Sequence, residues 1–220
     1  MTPPPEQCDM AVLAALAAPA PNPDKPVLTS GRTTTHGVDL AGALIVMVSE
    51  HGLPAWKRVL RTPETTDDWH PDSLGTKLVE RLDATHIYQQ LDITILLGAI
   101  HIRRQIVVGS RWLEDSAKEL RNCWYGSDPA TYQAQVAPWA DDSTWETVTY
   151  GGWHLRPQAD GTTLVSYQMW SPTKTVLPQI QAWAMSRTLP ELLSAFEVHV
   201  GKVEATMTRG AAAPGALQAP

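Results

Sequence analysis

The run Ala99-Ile-His-Ile-Arg-Arg-Gln-Ile-Val-Val-Gly-Ser-Arg-Trp-Leu113 separates by parity into two unlike sets. One set is Ile100, Ile102, Arg104, Ile106, Val108, Ser110 and Trp112, apolar except for Arg104 and Ser110. The other set is His101, Arg103, Gln105, Val107, Gly109, Arg111 and Leu113, mostly polar. A period of two marks a half-buried strand. At about 3.3 Å per residue the run spans roughly 50 Å, far beyond the usual five or six residues. Such a strand must bend to stay inside one domain, and Gly109 is the expected place for a bulge or kink.

Working outward, further strands are expected at Leu78–Leu82, Thr85–Asp92, Lys118–Trp124, Trp145–Leu155 and Thr162–Trp170. Turns this short favour an antiparallel meander. Upstream, Val27–Val38 is rich in Thr and Val and interrupted at Gly31 and Gly37, which predicts a hairpin of two short strands. Leu40, Leu44, Met47 and Val48 lie at helical spacing and predict a helix over 40–50, with Pro54–Leu60 adding a turn and 62–76 forming a loop. The last element runs from Val176 to Met207. There Val176, Ile180, Trp183 and Arg187, then Leu189, Leu193, Phe196, Val200, Val203 and Met207 keep a three-to-four spacing. Its length of roughly 48 Å matches the long strand, and Pro190 should kink it. A bent sheet and one long amphipathic helix fit together when the helix lies in the concave face. The expected class is therefore α+β, a curved antiparallel sheet wrapped around a long C-terminal helix.

The chain has 220 residues with 17 Lys+Arg against 23 Asp+Glu, a net charge of −6 and a pI near 5.6. That balance argues against a nucleic-acid partner and supplies no polybasic membrane anchor, leaving at most transient membrane contact. The domain is expected over 27–207, behind a Pro/Ala-rich leader (1–26) and ahead of a low-complexity tail (208–220). The leader is read as mostly extended, with a short helix near 9–18. Its Met10–Ala18 stretch resembles a signal-peptide core, but Glu6 and Asp9 precede it where basic residues belong. The two cysteines, Cys8 and Cys123, are far apart and form no CxxC pair, which reads against a disulfide scaffold or a thiolate zinc site. Together these features point to a cytoplasmic protein. Nine Trp and five Tyr against one Phe call for large rings with a polar edge.

In their order and spacing, several short motifs resemble one family. They are Leu53-Pro-Ala-Trp56, the strand pair around Val79–Leu91, Ile102-Arg-Arg-Gln-Ile-Val-Val-Gly-Ser-Arg-Trp112, Tyr150-Gly-Gly-Trp-His-Leu-Arg-Pro157, Thr162–Tyr167 and Val176-Leu-Pro178. Over about Val27–Glu204 the chain is similar to the START-type lipid-binding domain of the helix-grip (Bet v 1-like) superfamily. The resemblance implies an enclosed tunnel between sheet and helix, and binding and transfer of a lipid or other hydrophobic small molecule. The same architecture hosts aromatase/cyclases, so an enzyme acting on a polyketide-like substrate is the alternative. Members with the motif carry Arg-Asp where this chain has Arg103-Arg104, so an inward acid has become a base.

Arg104 is the sharpest single residue, because a buried guanidinium demands a partner. Two readings stand: an internal pair with Glu80, Asp92, Glu191 or a tunnel carbonyl, or a bidentate clamp for a ligand carboxylate or phosphate. Arg187 falls on the inner stripe of the last helix as a second polar contact. The expected walls are Ile102, Ile106, Val108 and Ile180 with Tyr88, Tyr150, Tyr167, Trp153, Trp170 and Trp183. The expected gate is Leu96-Leu97-Gly98 or Ser171–Pro178. No HExxH, no GxSxG and no SxxK with its supporting elements is present, and Asp67-Asp68-Trp-His70-Pro-Asp72 lacks the glycine and terminal Glu of an EF-hand loop. No metal, cofactor or catalytic residue is therefore assigned, the expected activity is non-catalytic binding, and the oligomeric state is left open.

Overall fold

The computed structural model describes residues 8–71, 73–81, 85–96, 100–136, 144–145, 148–173 and 178–211, giving only the backbone for 85–103, 144, 178–183 and 210–211. A short helix α1 (Met10–Leu13) precedes strands β1 (Val27–Thr35) and β2 (Val38–Ser49), then helix α2 (Leu53–Leu60) and a 3₁₀ segment, Pro63–Asp68. Strands β3 (Ser73–Arg81), β4 (Thr85–Leu96), β5 (Ile100–Asp115) and β6 (Leu120–Ser127) follow, with a second 3₁₀ turn at Pro129–Tyr132. β7 (Thr144–Trp145), β8 (Tyr150–Pro157), β9 (Thr163–Pro172) and helix α3 (Pro178–Ala211) complete the chain. The strands form one sheet in the order β1-β2-β9-β8-β6-β5-β4-β3, antiparallel throughout, with β7 adding a short parallel pair to β5.

The long strand is present, one residue short at the start and two longer at the end than its parity indicated. Gly109 carries no bulge: it pairs in register with Ile87 and Tyr125, and the β5–β6 irregularity falls instead between Trp112 and Glu114. The glycine serves close approach. A Cβ there would lie 2.4 Å from the Tyr125 ring, and Gly42 under Trp170 and Gly151 under Trp124 repeat the arrangement. Part of the unusual Trp content thus covers glycines across strand pairs, restoring apolar contact where a side chain is missing.

The expected pair of short strands over 27–38 is instead one strand, β1 (Val27–Thr35), which turns into β2 through His36 and Gly37, both at positive φ (48° and 73°). Two successive left-handed residues are what a two-residue type I′ hairpin requires. The expected helix over 40–50 is strand β2. Residues 40–47 are buried without interruption, because β2 lies between β1 and β9 and is covered on one face by α3 and on the other by the leader. A strand covered on both faces reads as a continuous apolar run, in which helical spacing arises by chance. The 62–76 loop is a 3₁₀ segment followed by the start of β3, with Asp67 accepting from Ser73 Oγ (2.8 Å) and Thr76 N–H (3.0 Å).

Inner-face residues Ala43, Ile45, Met47, Trp153, Leu155, Val165 and Tyr167 meet the stripe of α3, where Leu189, Leu193, Phe196 and Val200 are at most 1% exposed. Each such side chain contributes about 1.5–3 kcal/mol of burial. Pro190 lies inside α3. The helix is also tied at the β2–α2 corner. Ser49 Oγ donates to Glu197 Oε1 (2.7 Å) and accepts from Trp56 Nε1 (2.9 Å). His51 Nδ1 lies 2.8 Å from Glu204, whose other oxygen accepts from Gly52 N–H and so caps α2 from outside its own sequence.

The outer face of β2, β6, β8 and β9 is covered in part by the leader. Cys8 and Cys123 are joined in a disulfide with Cα atoms 6.0 Å apart, which corrects the expectation drawn from their wide spacing. Sequence distance says nothing about a contact made across a sheet. Asp9 caps α1 and accepts from Thr35 Oγ1 at 2.5 Å, Gln168 Nε2 donates to Leu13 C=O, and Val12 packs with Leu40, Tyr125, Tyr150 and Trp170.

Candidate functional site

Between the inner face of the sheet and α3 lies a cavity of about 170 Å³. Its floor is the parity read from sequence: Arg104, Ile106, Val108 and Ser110 of β5, beside Asn122 and Trp124 of β6, Trp153 of β8, and Tyr167 and Met169 of β9. α3 supplies Leu192 and Phe196, while Val59 and Leu60 of α2 with Pro63, Thr66, Trp69 and His70 close one side. The walls are rings in contact. Trp153 lies 4.2 Å from Tyr167 and 4.9 Å from Phe196, Trp69 meets Phe196 edge-on at 4.2 Å and 72°, and Trp56 stacks behind Phe196 at 4.9 Å. Such offset and edge-on contacts hold rings in fixed orientations.

Most polar groups of the lining are turned to structural use. Asn122 Nδ2 donates to Ser110 Oγ (2.8 Å) and to the Arg111 carbonyl (3.1 Å), Thr149 Oγ1 donates to the Trp170 carbonyl (2.7 Å), and Thr66 Oγ1 donates to the Pro63 carbonyl (2.6 Å). Arg104 is half-buried on the floor, with Asp92 opposite it in the β4–β5 register and Thr144 in the β5–β7 register. It is the one cavity-lining residue among those described whose side chain carries a permanent positive charge. Among the described residues no group of His, Cys, Asp and Glu is placed to hold a metal ion, and no helix is long and apolar enough to cross a membrane.

Neither a protein-family model nor a curated protein matches the sequence. Solved structures do match. The chain resembles a STAR-related lipid transfer protein from Xanthomonas axonopodis with a TM-score of 0.60 at 14% identity, covering 79% of this chain and 93% of that one. Human STARD10 gives 0.62 at 13% identity, over 82% and 76% of the two chains. Zhui aromatase/cyclase from Streptomyces gives 0.50 at 11% identity, over 76% and 96%. The chain has the START-type helix-grip fold. At these identities the likeness is one of architecture, and it includes both lipid transfer proteins and an aromatase/cyclase.

Within the START fold, Arg104, Ile106, Val108, Trp153 and Tyr167 meet around the cavity. Tyr150 and Trp170 do not. Both are 0% exposed on the opposite face, beneath the leader, because their parities on β8 and β9 are the outward ones. Burial and the nearby Asp9 carboxylate push the Tyr150 phenol up to about 12. Arg187 is exposed on α3 and is not among the described residues that line the cavity. Its place on the stripe marked a boundary position, where long cationic side chains reach outward. Ile102 and Tyr88 sit on β5 and β4, and Ile180 and Trp183 on α3; their side chains lie outside the described residues. So do 97–99 and 174–177, which hold Leu97 and Gly98 of one expected gate and half of the other. The sequence reading missed the side wall from Val59 to His70. The amphipathic spacing of Leu53, Trp56, Val59 and Leu60 signalled a helix with a buried face, but not what that face enclosed.

Proposed function

We propose that the protein binds an amphipathic hydrophobic molecule in this cavity, with rings and aliphatic side chains covering its apolar body and Arg104 meeting its polar end. The observation that carries this reading is a ring-walled hollow with a single half-buried guanidinium on its floor. Removing apolar surface from water supplies about 25 cal/mol per Å², and a charged hydrogen bond to the head adds orientation. Transfer, rather than chemistry on the ligand, accords with a lining in which the Thr66, Ser110 and Thr149 hydroxyls and the Asn122 amide are held by their neighbours. The Cys8–Cys123 bridge favours work in an oxidising compartment over the cytoplasm, where thiols are kept reduced.

The test compares pyrene with pyrenebutyrate, which share a ring system and differ by a carboxylate. Arg104→Ala should weaken pyrenebutyrate about tenfold or more, the scale of one charge-assisted hydrogen bond, and spare pyrene. Equal loss of both would make Arg104 a residue of the fold, and no binding of either by the unaltered protein would overturn the reading. A second reading, an aromatase/cyclase-type enzyme, draws on the small, ring-walled volume and on His70 in the lining. It requires turnover of a ring-forming substrate that His70→Phe abolishes while pyrenebutyrate still binds.

A further inference from the structure

Two hollows adjoin near the 3₁₀ segment, and one ring stands between them. The inner cavity of about 170 Å³ and an open groove of about 610 Å³ share Trp69 in their linings. The groove runs between Asp68–Trp69 and α3, where Pro190, Glu191, Ser194, Ala195 and Val198 face it. Trp69 is half-buried, and its backbone (φ −138°, ψ −26°) has already left the helical conformation of the segment before it.

The ring and the backbone near it are held differently. Asp67 pins the segment to β3 through Ser73 and Thr76, and Arg81 bridges Glu64 at 3.0 Å. The indole rests edge-on against Phe196, which stacking on Trp56 and almost complete burial fix in place. A rotation of the Trp69 side chain therefore requires no movement of the pinned backbone. The groove beside it is lined by Ser194 and Ala195, two small side chains, and by Pro190. Ligand pockets span about 300–1,000 Å³, so the inner cavity of about 170 Å³ falls short of what a drug-sized molecule fills. With the indole turned outward, cavity and groove become one space.

We propose that Trp69 is the door of the cavity and that the groove between the 3₁₀ segment and α3 is its entrance. This rests on the ligand-binding reading above and adds the route and the residue that controls it. A ligand enters across the groove as the indole swings toward Ser194 and Ala195, and the ring returns against Phe196 once the apolar body is seated.

The experiment is stopped-flow association and dissociation of pyrenebutyrate with the full chain. Trp69→Ala should speed both steps by about tenfold, the low end of the range over which related complexes differ in rate. Its equilibrium affinity should change less than either rate, and Trp69→Phe should fall between the two. Ser194→Trp fills the groove from an exposed position and should slow both steps while the inner cavity, which Ser194 does not line, keeps its walls. Unchanged rates in both Trp69→Ala and Ser194→Trp, with pyrenebutyrate still bound in an Arg104-sensitive way, would overturn the door and leave the binding reading standing. Absence of binding in the unaltered protein would overturn both.

Discussion

Reducing the Cys8–Cys123 bridge should cost the domain much of its stability while leaving the ligand cavity in place. The bridge closes a loop of 115 residues in sequence separation. For that length, chain entropy gives about 16 cal/mol/K, or about 5 kcal/mol at 25 °C, withdrawn from the unfolded state. A chain of this size loses about 2–4 °C of Tm per kcal/mol, so the midpoint should fall by about 10–20 °C. Cys123 is 0% exposed and lies on the outer face with Tyr125, whereas the cavity lies across the sheet. Calorimetry with and without a phosphine reductant measures the shift, and a Cys8→Ala/Cys123→Ala variant should match the reduced protein and ignore the reductant. Pyrenebutyrate affinity of the reduced protein, measured well below its midpoint, should stay within a factor of about three, less than 1 kcal/mol. A Tm change below about 3 °C, well under 2 kcal/mol, would refute the cross-link as a constraint on unfolding. Loss of binding on reduction would refute the independence of the two faces.

Other expectations follow from single residues. Burial raises Glu197 above the usual carboxylate range, against the opposing Ser49 hydrogen bond and His51 charge. A carboxyl raised in the folded state contributes stability at low pH that is lost as pH rises through its folded value. Glu197→Gln should therefore raise Tm at neutral pH and lose that advantage on acidification; a gain independent of pH would contradict the burial argument. Glu204 behaves oppositely. The Gly52 N–H and His51 hold it low, so Glu204→Gln should destabilise at neutral pH, and the deficit should shrink as acid protonates the parent carboxylate. Gly151→Ala would place a Cβ 2.0 Å from the Trp124 ring and 2.6 Å from the Gln168 carbonyl, costing about 3 kcal/mol in denaturant titration. With Tyr150 raised to about 12, ultraviolet titration should show one tyrosine ionising late, and Tyr150→Phe should remove that step.

Local pattern determined a good deal of this protein. The alternation of Ala99–Leu113 fixed the strand and the inward side of Arg104, because a period of two leaves only one other assignment and that one buries the polar set. The spacing from Leu189 to Val200 fixed the buried stripe of α3 by the same logic at a period near four. Where both faces of an element are covered, the logic fails. β2 read as a helix because the leader hides its outer face, and nothing within residues 40–50 records that the leader is there. Tyr150 and Trp170 carried ring chemistry suited to a wall, but which wall depended on strand parity across β8 and β9.

The cavity itself, the Cys8–Cys123 pairing, the glycines roofed by rings from the neighbouring strand, and the Trp69–Phe196 contact all join segments far apart in the chain. Such contacts arise only when sheet order and register bring the segments together. Sequence periodicity shows which face of each element seeks cover; the tertiary structure alone decides what supplies it.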